Sequence, residues 1–458
     1  MSFQRVLHHP PTRSLRIATL LLGAAGLPDF CFADDHPITL SGRLNLSIDS
    51  VSAMGATRPE RNIRRFTRVS DSGSAIRMRG RESLGNGYSV HFQIETLVKS
   101  DSPGGYRTPR GPNSNVWASR NSGIGIDGPF GSLLLGYWDV YYTNHIPIIE
   151  RTFLSTGFAS TALALLGGDK GFGGFTRGVM ATDAASIARE TRGTAQGLGA
   201  VDTGRREGNL LRYRSPDWHN LSLMASYVMP EGARNYEVPV VDAAGSESGR
   251  SGQWRSTLDS GHELMLQYND GIRFANYSYY RRNDFGMRKT FAGNNSINHK
   301  LALGIQYRRW QLGTVFEHNR HQAPAGSFYY QRGEDGRETP SPAVDRERSV
   351  VVLFAAYNPG PWIVGASYAR AGDVRDHDGQ CQVDGVAGCA NTGATYWQLT
   401  GILPLSKMTN LYATFARINN RSAAAYDFLL SSAISDTRAQ IGSGSNPQAL
   451  QLGMSMAF

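Results

Sequence analysis

Few residues of this chain stand at spacings that enzymes or metal sites use. The eleven histidines form no H-E-x-x-H pattern, there is no G-x-S-x-G motif, and Ser, His and Asp are too scattered to nominate a catalytic triad. Asp373, Asp376 and Asp378 suggest a calcium loop, but Gly379 is misplaced for an EF-hand, which favours a hydrated loop. The sequence therefore predicts no catalytic residues, no metal site and no cofactor.

Arginines at alternate positions have a clearer physical role. Three of them occupy every second position of one segment, Arg77, Arg79 and Arg81, and alternate with Ile76, Met78 and Gly80. Period-two spacing places the arginines on one face of a strand. Crowded like charges are costly in a soluble core but useful in a narrow aqueous pore, where they concentrate anions. The alternative is that they pair with carboxylates of a loop and anchor it, and the two roles are compatible.

The last eleven residues, Gln448 to Phe458, alternate in the same way. Leu450, Leu452, Met454, Met456 and Phe458 are separated by Gln451, Gly453, Ser455 and Ala457. A length of about 10 residues matches a tilted strand that crosses a bilayer. The small polar face suits a water-filled lumen and the apolar face suits lipid. A soluble sandwich can end on a similar strand, so the interpretation depends on whether the pattern repeats.

The pattern repeats along the chain, and short turns alternate with long connections. The predicted strands are Ile38–Ser50, Gly73–Glu82, Tyr88–Val98, Ser114–Asp127, Ser132–Trp138, Gly208–Arg214, Leu221–Val228, His262–Asn269, Ile272–Arg282, Asn298–Arg308, Trp310–Asn319, Arg348–Tyr357, Trp362–Arg370, Ala394–Leu403, Asn410–Asn419 and Gln448–Phe458. An even number of strands with this alternation predicts an all-β fold, a 16-stranded antiparallel transmembrane β-barrel.

Two connections are unusual. The first follows strand 1 and carries five arginines, Arg58, Arg61, Arg64, Arg65 and Arg68. The second, Asp139–Glu207, is 69 residues long. That is far beyond ordinary loop lengths and predicts that this connection, the third long one, has a role of its own. Gly167-Gly168 and Gly173-Gly174 would let it bend tightly inside the barrel.

The N-terminus has the features of an export signal. Basic residues precede an apolar run from Ile17 to Leu27, and small residues at Cys31 and Ala33 predict cleavage after residue 33. The predicted organisation is a signal peptide, residues 1–33, followed by a barrel, residues 34–458. In an oxidising compartment, Cys381 and Cys389 are expected to form one disulfide that constrains a loop.

The net charge of +9 is almost entirely due to arginine, because only five of the 47 basic residues are lysine. Such a balance often indicates nucleic-acid binding. An exported chain rarely meets nucleic acid, so selection of anions is the favoured use of the charge and no nucleic-acid partner is expected.

Four segments resemble the general trimeric porins of Gram-negative outer membranes, especially the beta-proteobacterial branch. Ser74–Gly85 resembles the second strand of that family, and Ile124–Gly136 is similar to its V-G-L-x-G-x-F-G-x-L-x-L-G motif. Arg206–Asn209 with Tyr213–Pro216 resembles R-x-x-N-x-x-x-Y-x-S-P, and Phe458 fits the assembly signal of the family. The resemblance spans the chain after the predicted signal peptide.

The resemblance implies a homotrimer of 16-stranded barrels in which loop 3, the long connection, folds into the lumen. The family has basic residues on the barrel wall there, facing acidic groups of loop 3. Arg43 on strand 1, Arg79 on strand 2 and Arg120 on strand 4 occupy matching basic positions. With Arg77 and Arg81 they form the predicted basic side of the pore constriction.

Two positions depart from the family pattern. Ala75 stands where a wall arginine is usual, and Tyr137 replaces the arginine of an L-G-R-Q motif. Arg77, on the same face as Ala75, restores charge. Loop 3 holds as many basic as acidic residues, and Glu150 and Asp169 are the candidates to face the wall.

The resemblance also implies the partners. The Lys99–Asn113 loop would latch a neighbouring subunit of the trimer. Outer-membrane lipid and lipopolysaccharide would surround the barrel, and periplasmic chaperones and the barrel-assembly machinery would handle its folding. Small hydrophilic solutes and ions would pass through it.

The function expected from these observations is passive diffusion through a water-filled outer-membrane channel that prefers anions, with no enzymatic step. A substrate-specific outer-membrane channel is the first alternative. A barrel enzyme, a hydrolase or protease, is the alternative from another class, but such an enzyme does not need a long inward loop. A translocator should follow a passenger domain, whereas strand 1 begins almost directly after the signal peptide.

Overall fold

A computed structural model describes most of the chain. The described residues are 38–98, 100–101, 107–108, 111–112, 117–144, 165–166, 206–230, 234–241, 247–256, 260–283, 295–322, 328–332, 338–342, 346–376, 382–383, 386–387, 390–428 and 441–458. The predicted signal peptide, Glu150, Asp169, Cys381 and Cys389 lie outside these residues, so their roles stay predictions.

Sixteen antiparallel strands close into one barrel. In chain order they are β1 (Thr39–Met54), β2 (two segments, Ile63–Asp71 and Ala75–Gly85), β3 (Tyr88–Leu97), β4 (Ser122–Gly128), β5 (Gly131–Asp139), β6 (Arg206–Arg214), β7 (Leu221–Val228), β8 (Gly261–Asn269), β9 (Arg273–Arg282), β10 (Asn295–Tyr307), β11 (Trp310–Gln322), β12 (Arg346–Tyr357), β13 (Ile363–Ala371), β14 (Ala394–Pro404), β15 (Thr409–Asn420) and β16 (Asn446–Ala457). The predicted fold class and strand number are confirmed.

The last strand closes the barrel by pairing with the first. β16 pairs with β1 from Arg43 opposite Ala457 to Met54 opposite Asn446. Closure leaves no free sheet edge, which is the condition for a sheet to cross lipid. Phe458 extends this contact, because its N–H donates to the Gly42 carbonyl (3.0 Å) and its carbonyl accepts from the Gly42 N–H (2.8 Å).

The two faces of β16 differ as the sequence predicts. Leu452 is 59% exposed on the outside, whereas its neighbour Gln451 is fully buried on the inside. The same alternation holds on β8, where Leu264 and Leu266 are exposed and Met265 is buried. Among the described residues, no helix is both long enough and apolar enough to cross a membrane.

The second strand is longer than the sequence predicts. Ile63–Asp71, expected as part of a polar connection, pairs with β1, and Ala75–Gly85 continues along the same strand. The prediction was wrong because the arginines of this segment obscure its alternation. Between the two segments β2 has one residue more than β1, which makes a β-bulge. Gly73 adopts a φ of +81° in this bulge, a region that glycine enters without strain.

The fourth strand is shorter than predicted. It begins at Ser122 and not at Ser114, and Arg120 therefore lies just before β4. Ala118 has a φ of +59°, which turns the chain ahead of the strand. The Arg120 N–H donates to the Glu95 carbonyl at 3.0 Å, so this residue still lies against β3.

Several long connections contain two-stranded hairpins where the sequence predicts loops without strands. The largest pairs Arg234–Val241 with Glu247–Ser256, and another pairs Phe328–Arg332 with Glu338–Pro342. They do not join the barrel sheet. All connections of this kind lie at one end of the barrel, opposite the short turns.

Candidate functional site: the lumenal arginine wall

The pairing of β2 with β3 sets the positions of three predicted wall arginines. Arg77 lies opposite Glu95, Arg79 opposite Gln93 and Arg81 opposite His91. Directly opposite residues of an antiparallel pair point to the same face. Strand alternation makes this the inner face, and each arginine therefore meets a polar partner of β3 on the lumenal surface.

Glu95 is the centre of the site. Its carboxylate accepts from Arg120 Nε at 2.7 Å and from Arg77 Nη2 at 3.3 Å. The residue is only 2% exposed, and a buried carboxylate requires such charged partners. The ion pairs hold Arg77 and Arg120 on the wall and neutralise part of their charge.

Arg79 has a neutral partner. Its Nε donates to Gln93 Oε1 at 2.6 Å, while the Gln93 amide donates to the Asn121 carbonyl (2.8 Å) and to Glu95 (3.3 Å). The amide group is thereby oriented with its oxygen toward the guanidinium. Within the described residues no carboxylate forms an ion pair with Arg79, so its guanidinium presents positive charge at the lumenal surface.

Arg81 forms the part of the wall nearest the short turns. It donates to Ser89 Oγ at 2.6 Å and lies 3.2 Å from Asp127 of β4, which also contacts His91 Nδ1 at 3.1 Å. Its side chain is 65% exposed. Exposed pairs of this kind are screened by water, so Arg81 also contributes to the lumenal field.

Arg43 occupies the gap that Ala75 leaves. The two residues lie directly opposite each other on β1 and β2. Arg43 Nη2 donates to the Gly73 carbonyl at 3.4 Å, so the bulge in β2 also binds this guanidinium. Tyr137, the other departure from the family pattern, lies opposite Ser122 on β4. The wall thus combines five guanidinium groups, and among the described residues Glu95 and Asp127 are carboxylates that contact them.

The partners of these arginines bear on the anchoring alternative. Among the described residues, the partners of Arg77, Arg79 and Arg81 belong to β3 and β4. The carboxylates that bind Arg77 and Arg81, Glu95 and Asp127, are wall residues. The anchoring alternative stays a prediction, because Glu150, Asp169 and most other carboxylates of loop 3 lie outside the described residues.

The root of loop 3 lies against the opposite inner wall. The backbone N–H groups of Tyr141 and Tyr142 donate to the buried carboxylate of Glu263 on β8. The Tyr142 hydroxyl donates to Glu317 of β11 at 2.9 Å, and Lys300 Nζ lies 4.2 Å from the centre of its ring. Burial first, and then the Glu317 carboxylate, raise the pKa of the Tyr142 phenol, so it stays a hydrogen-bond donor.

Two other segments pack on an apolar part of the inner wall. Leu165 and Leu166 of loop 3 belong to a buried cluster with Val352, Tyr396 and Ala416 of the wall. The last connection contributes Ala424, Ala425, Tyr426 and Phe428 to the same cluster. Arg348 of β12 donates to the Tyr426 hydroxyl at 2.6 Å, which holds this connection on the wall.

Sequence reasoning missed several basic residues of the inner wall, namely Arg212, Arg282, Lys300 and Arg348. Arg282 forms an ion pair with Glu207, and Arg212 lies 3.9 Å from the centre of the Tyr141 ring. They stand on the inward positions of predicted strands, so the alternation could have found them. The family motifs that indicate the wall arginines cover the first four strands and do not include these four positions.

A closed barrel with an apolar outer surface and a lumenal wall of arginines defines an outer-membrane channel. The chain belongs to the Gram-negative porin family, whose model matches residues 18–423. It is an integral outer-membrane β-barrel and a diffusion channel for small hydrophilic solutes.

Solved structures share the fold at low sequence identity. The anion-selective porin from Comamonas acidovorans is 18% identical, with a TM-score of 0.58 over 93% of this chain and 100% of that chain. OmpT of Vibrio cholerae is 9% identical, with a TM-score of 0.52 over 94% and 100%. Salmonella typhi OmpF, solved with daunomycin, is 13% identical, with a TM-score of 0.50 over 92% and 97%. No curated protein matches the chain.

Proposed function

We propose that the channel prefers anions and that Arg43, Arg77, Arg79, Arg81 and Arg120 form the basic side of its constriction. The observation that carries the proposal is Arg79, whose guanidinium contacts a neutral amide and keeps its charge at the lumenal surface. A positive wall in a narrow aqueous path raises the local anion concentration. The likeness to an anion-selective porin of a beta-proteobacterium agrees with this sign.

Loop 3 supplies the other side of the constriction in this proposal, with Glu150 and Asp169 facing the arginines. The contacts of Tyr141, Tyr142, Leu165 and Leu166 with the inner wall support an inward course. The channel works without a chemical step or cofactor. Within the described residues, no group of three or more His, Cys, Asp or Glu side chains could hold a metal ion.

The remaining expectations belong to the same proposal. The family forms an oligomeric channel, and we propose a homotrimer in which the Lys99–Asn113 loop contacts a neighbouring subunit. Residues 1–33 are the cleaved signal peptide, Cys381 and Cys389 form a disulfide, and Phe458 is the assembly signal. Lipopolysaccharide, periplasmic chaperones and the barrel-assembly machinery are the other partners.

The test compares ion selectivity in planar bilayers for the wild type and Arg79→Gln. Removing one uncompensated lumenal charge should lower the ratio of chloride to potassium permeability roughly two- to fivefold. Arg309→Gln, at the exposed turn between β10 and β11, removes the same charge away from the lumen and should leave the ratio unchanged. Equal permeability ratios in all three proteins would show that the arginine wall does not determine the ion selectivity.

A further inference from the structure

We infer that the last connection, between β15 and β16, is a second constricting element of the channel, and that Arg348 of β12 positions it together with the root of loop 3. The residues of this connection that carry the inference are 421–428, called the inner segment from here on, and 441–445. The inference rests on the diffusion channel and on the proposed inward course of loop 3, and not on the ion preference.

The inner wall of β12 to β15 is apolar where the inner segment lies. Val350 and Val352 of β12, Tyr396 of β14 and Ile418 of β15 stand on the lumenal face, and all four are buried. The lumenal face of a water-filled barrel is normally polar. Because apolar surface is driven out of contact with water, such a patch is stable when another part of the chain covers it. This part of the wall therefore requires a cover.

The inner segment contributes to this cover. Four of its side chains belong to the same buried cluster as the wall residues, namely Ala424, Ala425, Tyr426 and Phe428. Tyr426 contacts Arg348 of β12, although the segment leaves the barrel at β15, three strands away. Neighbouring strands lie about 4.8 Å apart, so the segment extends about 14 Å across the lumenal wall. It therefore occupies cross-section that would otherwise belong to the aqueous path.

Hydrogen bonds fix both described parts of the connection. The side-chain amide of Asn420, at the end of β15, donates to the Tyr426 carbonyl at 2.9 Å and to the Ser445 carbonyl at 2.6 Å. Its side-chain oxygen accepts from the Tyr426 N–H at 3.0 Å. The Ser443 carbonyl accepts from the Thr57 N–H, between β1 and β2, at 2.8 Å. The inner segment therefore has a defined place on the wall.

Arg348 joins the inner segment to the root of loop 3. Its Nη1 donates to the Tyr426 hydroxyl at 2.6 Å, and its Nη2 donates to Asn319 Oδ1 at 3.4 Å. Burial and Glu317 raise the pKa of the Tyr142 phenol of loop 3, and Asn319 and Arg348 oppose that rise, so both groups lie close to this phenol. The guanidinium thus stands between a tyrosine of each connection. All five residues are buried, so water does not replace these contacts.

The experiment records single channels of the full-length protein in planar bilayers. Tyr426→Phe removes the hydroxyl that Arg348 binds and should raise the variance of the open-channel current roughly two- to fivefold, because the inner segment is held less firmly. Tyr368→Phe, on the exposed outward face of β13, is the matched control and should leave the variance unchanged. Tyr142→Phe should raise the variance as well. The increase in the double variant should be smaller than the product of the two single increases, because either change already loosens the shared guanidinium.

Arg348→Lys separates a positioning role from a contribution to the lumenal field. Lysine keeps the charge but lacks the planar fork that binds two partners at once. A positioning role predicts that Arg348→Lys and Arg348→Gln raise the variance by a similar factor. A field role predicts wild-type recordings for Arg348→Lys. Arg370→Gln, which removes an exposed charge from the outward face of β13, is the control and should behave like the wild type.

The open-channel conductance tests the constricting role. Tyr426→Ala with Phe428→Ala removes two side chains that hold the inner segment on the wall, and should raise the conductance roughly 1.5- to threefold. Circular dichroism before each recording checks that the variant keeps the strand content of the wild type. If the double replacement does not fold, Tyr426→Phe tests the same segment by the removal of one oxygen atom. A conductance at or below the wild-type value in the folded double variant would overturn the constricting role.

Two further outcomes would overturn the inference. The first is a wild-type variance in both Tyr426→Phe and Arg348→Gln. If Tyr142→Phe alone then raised the variance, the proposed inward course of loop 3 would stand without the last connection. The second is an increase in the double tyrosine variant that equals the product of the single increases, which would contradict joint positioning by Arg348.

The ratio of chloride to potassium permeability in the same recordings separates this inference from the proposed selectivity. Tyr426→Phe leaves every lumenal charge in place and should keep the wild-type ratio. A wild type without anion preference would contradict the selectivity and leave this inference standing.

Discussion

At the scale of single residues, Glu95 controls how much positive charge the wall presents. It binds Arg77 and Arg120 and is almost fully buried. Glu95→Gln removes the negative charge and leaves two guanidinium groups uncompensated. We expect the ratio of chloride to potassium permeability to rise roughly twofold or more, the opposite of the effect of Arg79→Gln.

The control for Glu95→Gln is Glu82→Gln, which neutralises an exposed carboxylate on the outward face of the same β2–β3 pair. It should leave the permeability ratio unchanged. If the ratio of chloride to potassium permeability falls in Glu95→Gln, the main role of the ion pairs is to hold Arg77 and Arg120 in position. Their neutralisation of positive charge would then be the smaller effect.

Asp270 stabilises the short turn between β8 and β9. Its carboxylate accepts from the N–H groups of Arg273 (2.6 Å) and Ile272 (2.9 Å) and pairs with the Arg273 side chain. These bonds, the Arg273 N–H first, lower the pKa of Asp270. A lowered pKa means that the stabilisation is complete above the ordinary pKa of aspartate, about 3.9, and is lost as the pH falls through the lower value in the folded state.

Asp270→Asn should therefore lower the melting temperature of the barrel at pH 7, with a smaller difference from the wild type in strong acid. Circular dichroism during heating, at pH 7 and at successively lower pH, measures both. Asp217→Asn, in the neighbouring turn between β6 and β7, is the control because its carboxylate pairs with the exposed Arg214 side chain. A difference between Asp270→Asn and the wild type that does not shrink in acid would contradict the assignment.

The residue scale also shows what the sequence could predict. Alternation placed Arg77, Arg79 and Arg81 on one face of a strand, because the strand period is fixed by covalent geometry. The partners Gln93, Glu95 and Asp127 depend on strand pairing and register, which no local pattern contains. Arg120 was assigned to a strand because the turn before β4 has no glycine or proline signal between Trp117 and Asn121.

At the scale of elements, the contact of Phe458 with β1 closes the barrel. The aromatic ring covers Gly42, where an added Cβ would lie 2.4 Å from the ring. Gly42→Val should therefore displace the ring and destabilise the folded barrel by about 1–3 kcal/mol. Urea titration of the refolded protein, followed by tryptophan fluorescence, measures the change.

Gly208→Val on β6 is the matched control, because no atom lies within 4 Å of its added Cβ. In a Phe458→Ala background, Gly42→Val should lose the part of its effect that the ring causes and keep a remainder, because the added Cβ also lies 2.9 Å from the Ala75 carbonyl oxygen. If Gly42→Val changes the free energy of unfolding equally with and without the Phe458 ring, the ring does not contact Gly42 as described.

The root of loop 3 is a second element with a specific anchor. Tyr142→Phe removes the hydroxyl that donates to Glu317 and leaves the ring beside Lys300. Loss of a hydrogen bond to a buried carboxylate costs about 1–3 kcal/mol. We expect larger fluctuations of the open-channel current, because the root of the constricting loop is held less firmly.

Single-channel recordings of Tyr142→Phe, the wild type and Tyr357→Phe test this expectation. Tyr357 stands on the outward face of β12, so the same change there should leave the current noise unchanged. Identical noise in the three proteins would show that the Tyr142 hydroxyl does not steady the loop.

The elements themselves were largely predictable, with instructive exceptions. Strands with a regular apolar period, such as Leu221–Val228, were predicted to the residue. Ile63–Asp71 was missed because arginines on both of its faces interrupt the apolar period: Arg68 pairs with Asp49 on the inner face, and Arg65 donates to Ser50 on the outer face. The hairpin of Arg234–Val241 with Glu247–Ser256 was missed because a strand outside the membrane has no lipid to impose a period.

At the scale of the whole molecule, selectivity arises from the summed field of the wall. Salt shortens the range of that field, from about 10 Å at 0.1 M to about 3 Å at 1 M. The ratio of chloride to potassium permeability should therefore fall toward one as the salt concentration of both compartments rises at a fixed gradient. A ratio independent of salt would instead indicate a direct anion-binding site in the lumen.

The most direct test of the account is the zero-current potential of the wild-type protein in a planar bilayer under a potassium chloride gradient. The arginine wall predicts stepwise conductance and a potential whose sign reports a preference for chloride. A potential of the opposite sign would show that carboxylates dominate the constriction and would contradict the central claim.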